Sequence, residues 1–381
     1  MGKTKIMKPF NVYPLYNVTP VKANDVYVTD DKGVEYLDLY GGHGVISIGH
    51  GHPHYLAKLK EQLDAIGFYS NAIQNPLQVE LSEKLGKLSG CTDYSLFLCN
   101  SGAEANENAL KLASFYNQKK RVIAFENSFH GRTSVAVSVT DNPKIIAPIN
   151  STNPKTLLPL NQIDLVEIEF AKGDVCAVII EGIQGVGGLD EGTTAFFQDL
   201  EQLCNKHNVI FIVDEIQSGY GRSGKFFAYQ YHNIKPDIIS VAKGMGNGFP
   251  VGGILISPKF KASYGMLGTT FGGNHLACAA AISVLETLEK ECLLQNVNEI
   301  SAYFMEEAQK IPQVKKIKGK GLMLGLEFDF EIAEIRKKLI YDKHIFTGGA
   351  MNKNLLRILP PLTVKKEHID TFFKGLKEVL N

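Results

Sequence analysis

Short, continuous apolar runs alternate with helix-period segments through the middle of the chain. The runs cover residues 95–99, 122–125, 175–180, 209–213 and 238–241, each bounded by Gly, Asn or Asp. Such alternation predicts a mostly parallel central sheet with helices on both faces, an α/β fold. Ahead of it, Val26-Tyr27-Val28, the turn Asp30-Asp31-Lys32-Gly33 and the run Glu35 to Leu39 predict a hairpin. After Gly273 the pattern changes again. An Ala-rich helix from His275 to about Leu294 precedes short strand-like pieces at 323–328 and 355–359 and an amphipathic helix over 367–380. The expected organisation is an N-terminal segment 1–47 whose hairpin packs with the small domain, a large domain 48–273, and a smaller C-terminal α+β domain 274–381.

Composition narrows this picture. Of the 381 residues 44% are apolar and 21% charged, enough core for two or three globular domains. Lys plus Arg (40) balances Asp plus Glu (40), so no nucleic-acid partner is expected. No apolar run nears the roughly 20 residues of a membrane helix. Residues 1–10 carry Lys3, Lys5 and Lys8 with no apolar stretch behind them, so no secretory leader is expected. The six cysteines form no C-x-x-C pair and read as reduced thiols of a cytoplasmic protein, neither a disulfide frame nor a zinc site.

Ligands of an open parallel sheet bind beyond the carboxyl ends of its strands, so the residues just past each run matter most. Run 95–99 leads into Asn100-Ser101-Gly102-Ala103-Glu104 and a helical stretch. Ser101 with Glu104 is a capping-box pattern, and Gly102 leaves first-turn N–H groups open to a phosphate. Alone, the pattern fits any capped helix. Run 209–213 ends in Asp214-Glu215, where a buried carboxylate needs a partner: a pyridinium N–H⁺, a structural cation or a metal. Run 238–241 ends in Ala242-Lys243-Gly244, which places a partly desolvated amine between small neighbours. A snorkelling lysine is the plainer alternative, but it leaves the glycine-rich stretch 245–253 unexplained. Asp214 and Lys243 end successive strands, with a helical connection of about thirty residues expected between them.

Five motifs carry a resemblance that spans nearly the whole chain: Asn100-Ser-Gly-Ala-Glu-Ala-Asn-Glu, Phe129-His-Gly-Arg-Thr, Asp214-Glu-Ile-Gln-Ser-Gly, Ala242-Lys-Gly and Thr269-Thr-Phe-Gly-Gly-Asn. With them the chain resembles the class III aminotransferases of fold type I, enzymes that use pyridoxal 5'-phosphate. The length and the pair Arg132/Arg357 look most like the N-acylornithine branch. The resemblance implies transfer of the terminal amino group of an acetyl- or succinyl-ornithine to 2-oxoglutarate, giving glutamate, in arginine biosynthesis. Ornithine or another ω-amino acid is the alternative donor. It further implies that Lys243 bonds the cofactor and that Asp214 pairs with the ring nitrogen. Ser101, Gly102 and Ala103 would hold the phosphate, and Phe129 and His130 would lie at the ring. Gln217 would sit near the phenolic oxygen, and Thr270 would reach the phosphate from the neighbouring subunit of a homodimer. Arg132 would grip the distal substrate carboxylate with Thr269 nearby. Glu181 would cover Arg357 until 2-oxoglutarate needs that arginine. No metal is implied.

The chain departs from the family's Glu-Pro-Ile-Gln-Gly-Glu-Gly-Gly, reading Glu181-Gly-Ile-Gln-Gly-Val-Gly-Gly instead. Gly182 and Val186 remove stiffness and a charge from the pocket wall, which leaves the acyl group open. Two other patterns compete for attention. Residues 219–225 match the P-loop body G-x-x-x-x-G-K, but Phe226 stands where a Ser or Thr is required. His50, His52 and His54 alternate, yet Gly51 and Pro53 predict a turn whose histidines bond to backbone rather than metal.

Overall fold

The computed structural model describes residues 7–381; positions 1–6, part of the stretch read for a leader, lie outside them. A seven-stranded sheet forms the centre, in the spatial order Ser95–Cys99, Gly252–Ile256, Ile238–Val241, Ile210–Asp214, Val175–Glu181, Arg121–Phe125, Lys155–Leu158. Gly252–Ile256 runs antiparallel to both neighbours, and every other pairing is parallel. The fold is thus α/β with a mostly parallel sheet.

The reason these runs read as unbroken hydrophobics is that both faces are covered. Along Ile210–Asp214, Phe211 and Val213 enter one core cluster while Ile210 and Ile212 enter another, and Val178/Ile180 and Ala177/Ile179 divide in the same way. The period of two along a strand sends alternate side chains to opposite faces. The helix Gly102–Asn117 contributes Ala105, Ala109 and Leu112 to one cluster; Thr194–His207 contributes Phe196, Phe197 and Leu200 to the other.

Several elements differ from the sequence expectation. The strands Lys155–Leu158 and Gly252–Ile256, whose apolar runs are only Leu157-Leu158 and Ile254-Leu255-Ile256, were not anticipated. Gly252 and Gly253 serve close backbone approach: a Cβ on either would meet Ser101 O at 2.8 Å or Phe97 O at 2.7 Å. Between Asp214 and Lys243 the chain makes turns and one 3₁₀ segment, Ala228–Tyr231, rather than an α-helix. The Ala-rich helix stops at Lys290, because Cys292 (φ 50°) turns the chain into a second helix, Leu293–Gln309.

Two smaller sheets complete the structure. Pro20–Asn24, Tyr27–Asp30 and Glu35–Asp38 pair antiparallel in that order, and Ile345–Phe346 adds to Glu35–Asp38 in parallel. The third sheet holds Lys316–Lys320, Met323–Glu327 and Leu355–Ile358, and its last strand carries Arg357. Among the described residues no helix is long and apolar enough to cross a membrane.

Candidate active site

Strand register assembles the site. Glu181 pairs with Asp214, and Asp214 with Ser240, so both acids and the segment leading to Lys243 end side by side. Beyond these ends lies a cavity of ≈ 360 Å³, lined among others by Ser101, Gly102, Ala103, Phe129, His130, Arg132, Glu181, Asp214, Gln217 and Lys243. Ten residues read from separate motifs therefore share one space.

Asp214 is held by its neighbours from both sides. Its Oδ2 accepts from Asn106 Nδ2 and pairs with His130 Nδ1, each at 2.8 Å, and its Oδ1 accepts from Ile216 N at 3.0 Å. Three partners fix this buried carboxylate in one orientation. Asn106 was missed as an individual residue. It is fully buried on the sheet-facing side of Gly102–Asn117 and also donates to His130 O at 2.7 Å. A buried asparagine on an apolar helix face is the signal that could have found it.

Lys243 adopts φ 46° at the start of a 3₁₀ turn, a left-handed conformation that directs its side chain into the cavity wall. No hydrogen bond or ion pair engages its amine among the described residues. Burial pulls its pKa below the usual lysine value, against the opposing charges of Asp214 and Glu181. An amine so placed reaches its neutral, nucleophilic form more readily than a surface lysine.

The helix N-terminus behaves as a capped anion cup. Ser101 Oγ accepts from Glu104 N at 3.2 Å, while Glu104 Oε2 reaches back to Asn100 N at 3.1 Å, one residue further than a capping box would send it. The amides of Gly102 and Ala103 have no helix-internal acceptor. A Cβ on Gly102 would meet Ile216 Cδ1 at 2.8 Å, so backbone alone fits there. Cup, fixed carboxylate and free amine together suit a flat ring bearing a phosphate, a basic nitrogen and an aldehyde. The residues present fit such a group.

The remaining residues divide. Arg132 is exposed at the cavity and has no ion-pair partner among the described residues. Glu181 is buried, accepting from Phe129 N at 2.9 Å and Gly185 N at 2.8 Å. Burial raises its pKa to about 7. Arg357 lies outside the cavity lining. It donates from Nη1 to Gly185 O and from Nε to Gly349 O, both at 2.5 Å, and sits 3.4 Å from Gln217 Oε1 and Tyr40 Oη. In this conformation Glu181 does not cover it. Thr269 Oγ1 accepts from Gly272 N at 3.1 Å, and Thr270 is exposed; neither lines the cavity.

The competing motifs lose their force in the folded chain. Lys225 donates to Gln230 O at 2.9 Å, and no α-helix follows it, so the P-loop match lacks its anion-binding turn. The three histidines bond to separate carboxylates, correcting the expectation of backbone partners: His50 to Asp38 at 2.9 Å, His52 to Glu291 at 2.9 Å and His54 to Glu286 at 2.7 Å. Glu291 and Glu286 lie far off in sequence and were invisible locally, whereas Asp38 stands twelve positions before His50.

Residues 11–380 match the family model described as Aminotransferase class-III. The chain is similar to the acetylornithine aminotransferase of Aquifex aeolicus, 41% identical over 378 residues that cover 97% of this chain and 99% of that one. It is 38% identical to the acetylornithine aminotransferase of Bacillus subtilis, over 97% of each chain. Its structure resembles that of the ornithine aminotransferase from Toxoplasma gondii ME49, with a TM-score of 0.91 and 28% identity over 98% of this chain and 92% of that one. Since the match runs through every strand end that shapes the cavity, the chain belongs to the class-III aminotransferase family.

Proposed function

We propose that the protein moves the terminal amino group of an N-acylornithine to 2-oxoglutarate, giving the semialdehyde and glutamate, as a step of arginine biosynthesis, with pyridoxal 5'-phosphate as cofactor. The observation that carries the reading is Lys243: its unpartnered amine shares one cavity of ≈ 360 Å³ with Asp214, the Gly102–Ala103 turn and Arg132. The names of the curated relatives support the acylornithine class.

When bound, the cofactor supplies an electron-withdrawing ring that stabilises negative charge on the carbon bearing the amine. This chain's residues do the rest. The amides of Gly102 and Ala103, with Ser101, take the phosphate. Phe129 would lie against the ring with His130 behind Asp214, and Gln217 would lie near the phenolic oxygen. Asp214 keeps the ring nitrogen protonated, itself held by Asn106 and His130. Lys243 Nζ would hold the cofactor, and the same amine would accept the proton leaving the amine-bearing carbon, hold it as an ammonium and pass it on to carbon. Arg132, with Thr269 nearby, grips the distal carboxylate of either substrate, and the planar guanidinium suits that task. Arg357 takes the α-carboxylate of 2-oxoglutarate, and Glu181 governs its availability.

We further read the chain as a cytoplasmic homodimer with Thr270 reaching the partner's phosphate. Exposed Phe68 and Phe271, whose rings lie 5.4 Å apart beside exposed Tyr69 and Ile73, support an apolar contact next to Thr270. In this reading 48–273 carries the cofactor, and 274–381 together with 1–47 frames Arg357.

A donor panel against 2-oxoglutarate tests the function, comparing N-acetylornithine, N-succinylornithine and ornithine by kcat/KM. One acylated donor is expected to lead. A lead for free ornithine would overturn the acyl reading, and absence of transfer from all three would overturn the transfer itself.

A further inference from the structure

Arg357 has a cationic neighbour that the transfer chemistry leaves unused. Gly349, whose carbonyl accepts from Arg357 Nε at 2.5 Å, has Arg336 packed where a side chain would stand: a Cβ there would come within 3.0 Å of Arg336 Nη1. Two guanidinium groups therefore converge on one residue, and Arg336 is among the charges that disfavour the cationic form of Arg357, behind burial itself.

Arg336 is fixed but not neutralised. Its Nη2 donates to Thr347 O at 3.0 Å, and the Tyr16 ring centroid lies 5.7 Å from its Cζ. Its Nε is buried without a partner, as is the hydroxyl of Thr347. No carboxylate pairs with it among the described residues. Both side chains line a cleft of ≈ 1280 Å³, in which Asp38 is the sole acid. Asp38 is already engaged by His50 Nε2 at 2.9 Å and by the amides of Tyr40 and Gly41 at 3.0 and 2.8 Å. The cleft adjoins the catalytic cavity at His43, whose carbonyl accepts from Gln217 Nε2 at 2.9 Å.

Buried donors without acceptors are unfavourable, and like charges held together add to that. An anion drawn to the half-buried Arg336 guanidinium would offset the like charge, and a local shift of the two side chains would bring their buried donors to it. The guanidinium's planar fork, next to a hydroxyl, selects a carboxylate over a point anion.

We propose that this cleft is a carboxylate subsite, held by Arg336 with the Thr347 hydroxyl. The carboxylate is either the far end of the donor's acyl chain or a free carboxylate that binds beside the substrate. The first case rests on the acylornithine reading and narrows it to donors whose acyl group ends in an acid; the second does not depend on that reading.

The test compares intact wild-type enzyme with Arg336→Met, Arg336→Lys and Thr347→Val. Two quantities are read: the ratio of kcat/KM for N-succinylornithine over N-acetylornithine, and calorimetric binding of succinate with 2-oxoglutarate saturating the catalytic cavity. If the acyl chain supplies the carboxylate, the ratio falls about tenfold in Arg336→Met, the size expected for a lost charge-assisted hydrogen bond. Arg336→Lys recovers part of it, and Thr347→Val shifts it less in the same direction. If the carboxylate is free, the ratio holds while succinate binding weakens by about tenfold or more in Arg336→Met. The inference is overturned if neither quantity moves more than about twofold, or if the variants change the sedimentation of the assembly, since Arg336 would then serve a contact between copies. Wild-type turnover alone judges the proposed function; only the variant-to-wild-type comparison judges the subsite.

Discussion

Glu181 and Arg357 grip opposite ends of a single residue. The N–H of Gly185 donates to Glu181 Oε2 at 2.8 Å, and its carbonyl accepts from Arg357 Nη1 at 2.5 Å. The two charged groups are thereby connected through a peptide instead of touching. Moving either one must reorient Gly185 or break its bond. Whatever exposes Arg357 to a substrate must first release this residue.

Gly185 has no room for a side chain, because a Cβ there would collide with Gln217 Oε1. Gln217 cannot yield freely: its Nε2 donates to His43 O at 2.9 Å. Gly185→Ala is therefore expected to misplace both Gln217 and Arg357. In single-turnover assays the 2-oxoglutarate half should slow by roughly tenfold more than the amine half, about 1.4 kcal/mol of selective loss. Equal slowing of both halves would refute the link.

The two substrate arginines should separate in the same assays. Arg132 lines the cavity, and each substrate presents a distal carboxylate, so Arg132→Ala should damage both halves by roughly a hundredfold. Arg357→Ala should damage mainly the 2-oxoglutarate half. Losses that match between halves for Arg357 would contradict the division of labour.

How much the sequence disclosed, and how much it hid, depends on the range of each interaction. Lys243, Asp214 and the Ser101-Gly102-Ala103 turn were legible because each ends an apolar run, and parallel-sheet geometry gathers such ends. Asn106 was hidden although it stands inside a recognised motif, since only folding brings it to 2.8 Å from Asp214. The partners of His52 and His54, Glu291 and Glu286, lie more than two hundred positions away. Gly252–Ile256 escaped because glycines chosen for close backbone approach look like loop.

An apolar patch beside Thr270 predicts how the assembly forms. Phe271 is 60% exposed on the single chain and packs on Phe68. If a second copy covers it, Phe271→Asp buries an unpaired charge and should weaken association roughly a hundredfold. Sedimentation equilibrium reads this directly. Cofactor retention should fall with it, because Thr270 would no longer reach the partner's site. Unchanged sedimentation would remove the patch from the interface.

Glu215 gives a prediction in pH. Its side chain is buried, accepting from Ser218 Oγ at 2.7 Å, Tyr229 N at 2.7 Å and Ala228 N at 3.0 Å. Burial outweighs these bonds and raises its pKa from 4.5 to about 7. Below pH 4.5 both folded and unfolded chains hold the proton, and the group adds no slope. Between there and about pH 7 the unfolded chain loses the proton while the folded one keeps it, so stability declines by about 3 kcal/mol across the window. Glu215→Gln cannot ionise and escapes that decline. Its amide nitrogen, however, cannot accept from Ala228 N, a fixed cost of about 1–3 kcal/mol. The variant should therefore have the lower urea midpoint at pH 5, with the gap closing or reversing by pH 8. A gap that stays constant over that range would show that Glu215 is ionised in the folded protein at pH 5, its three donors prevailing over burial.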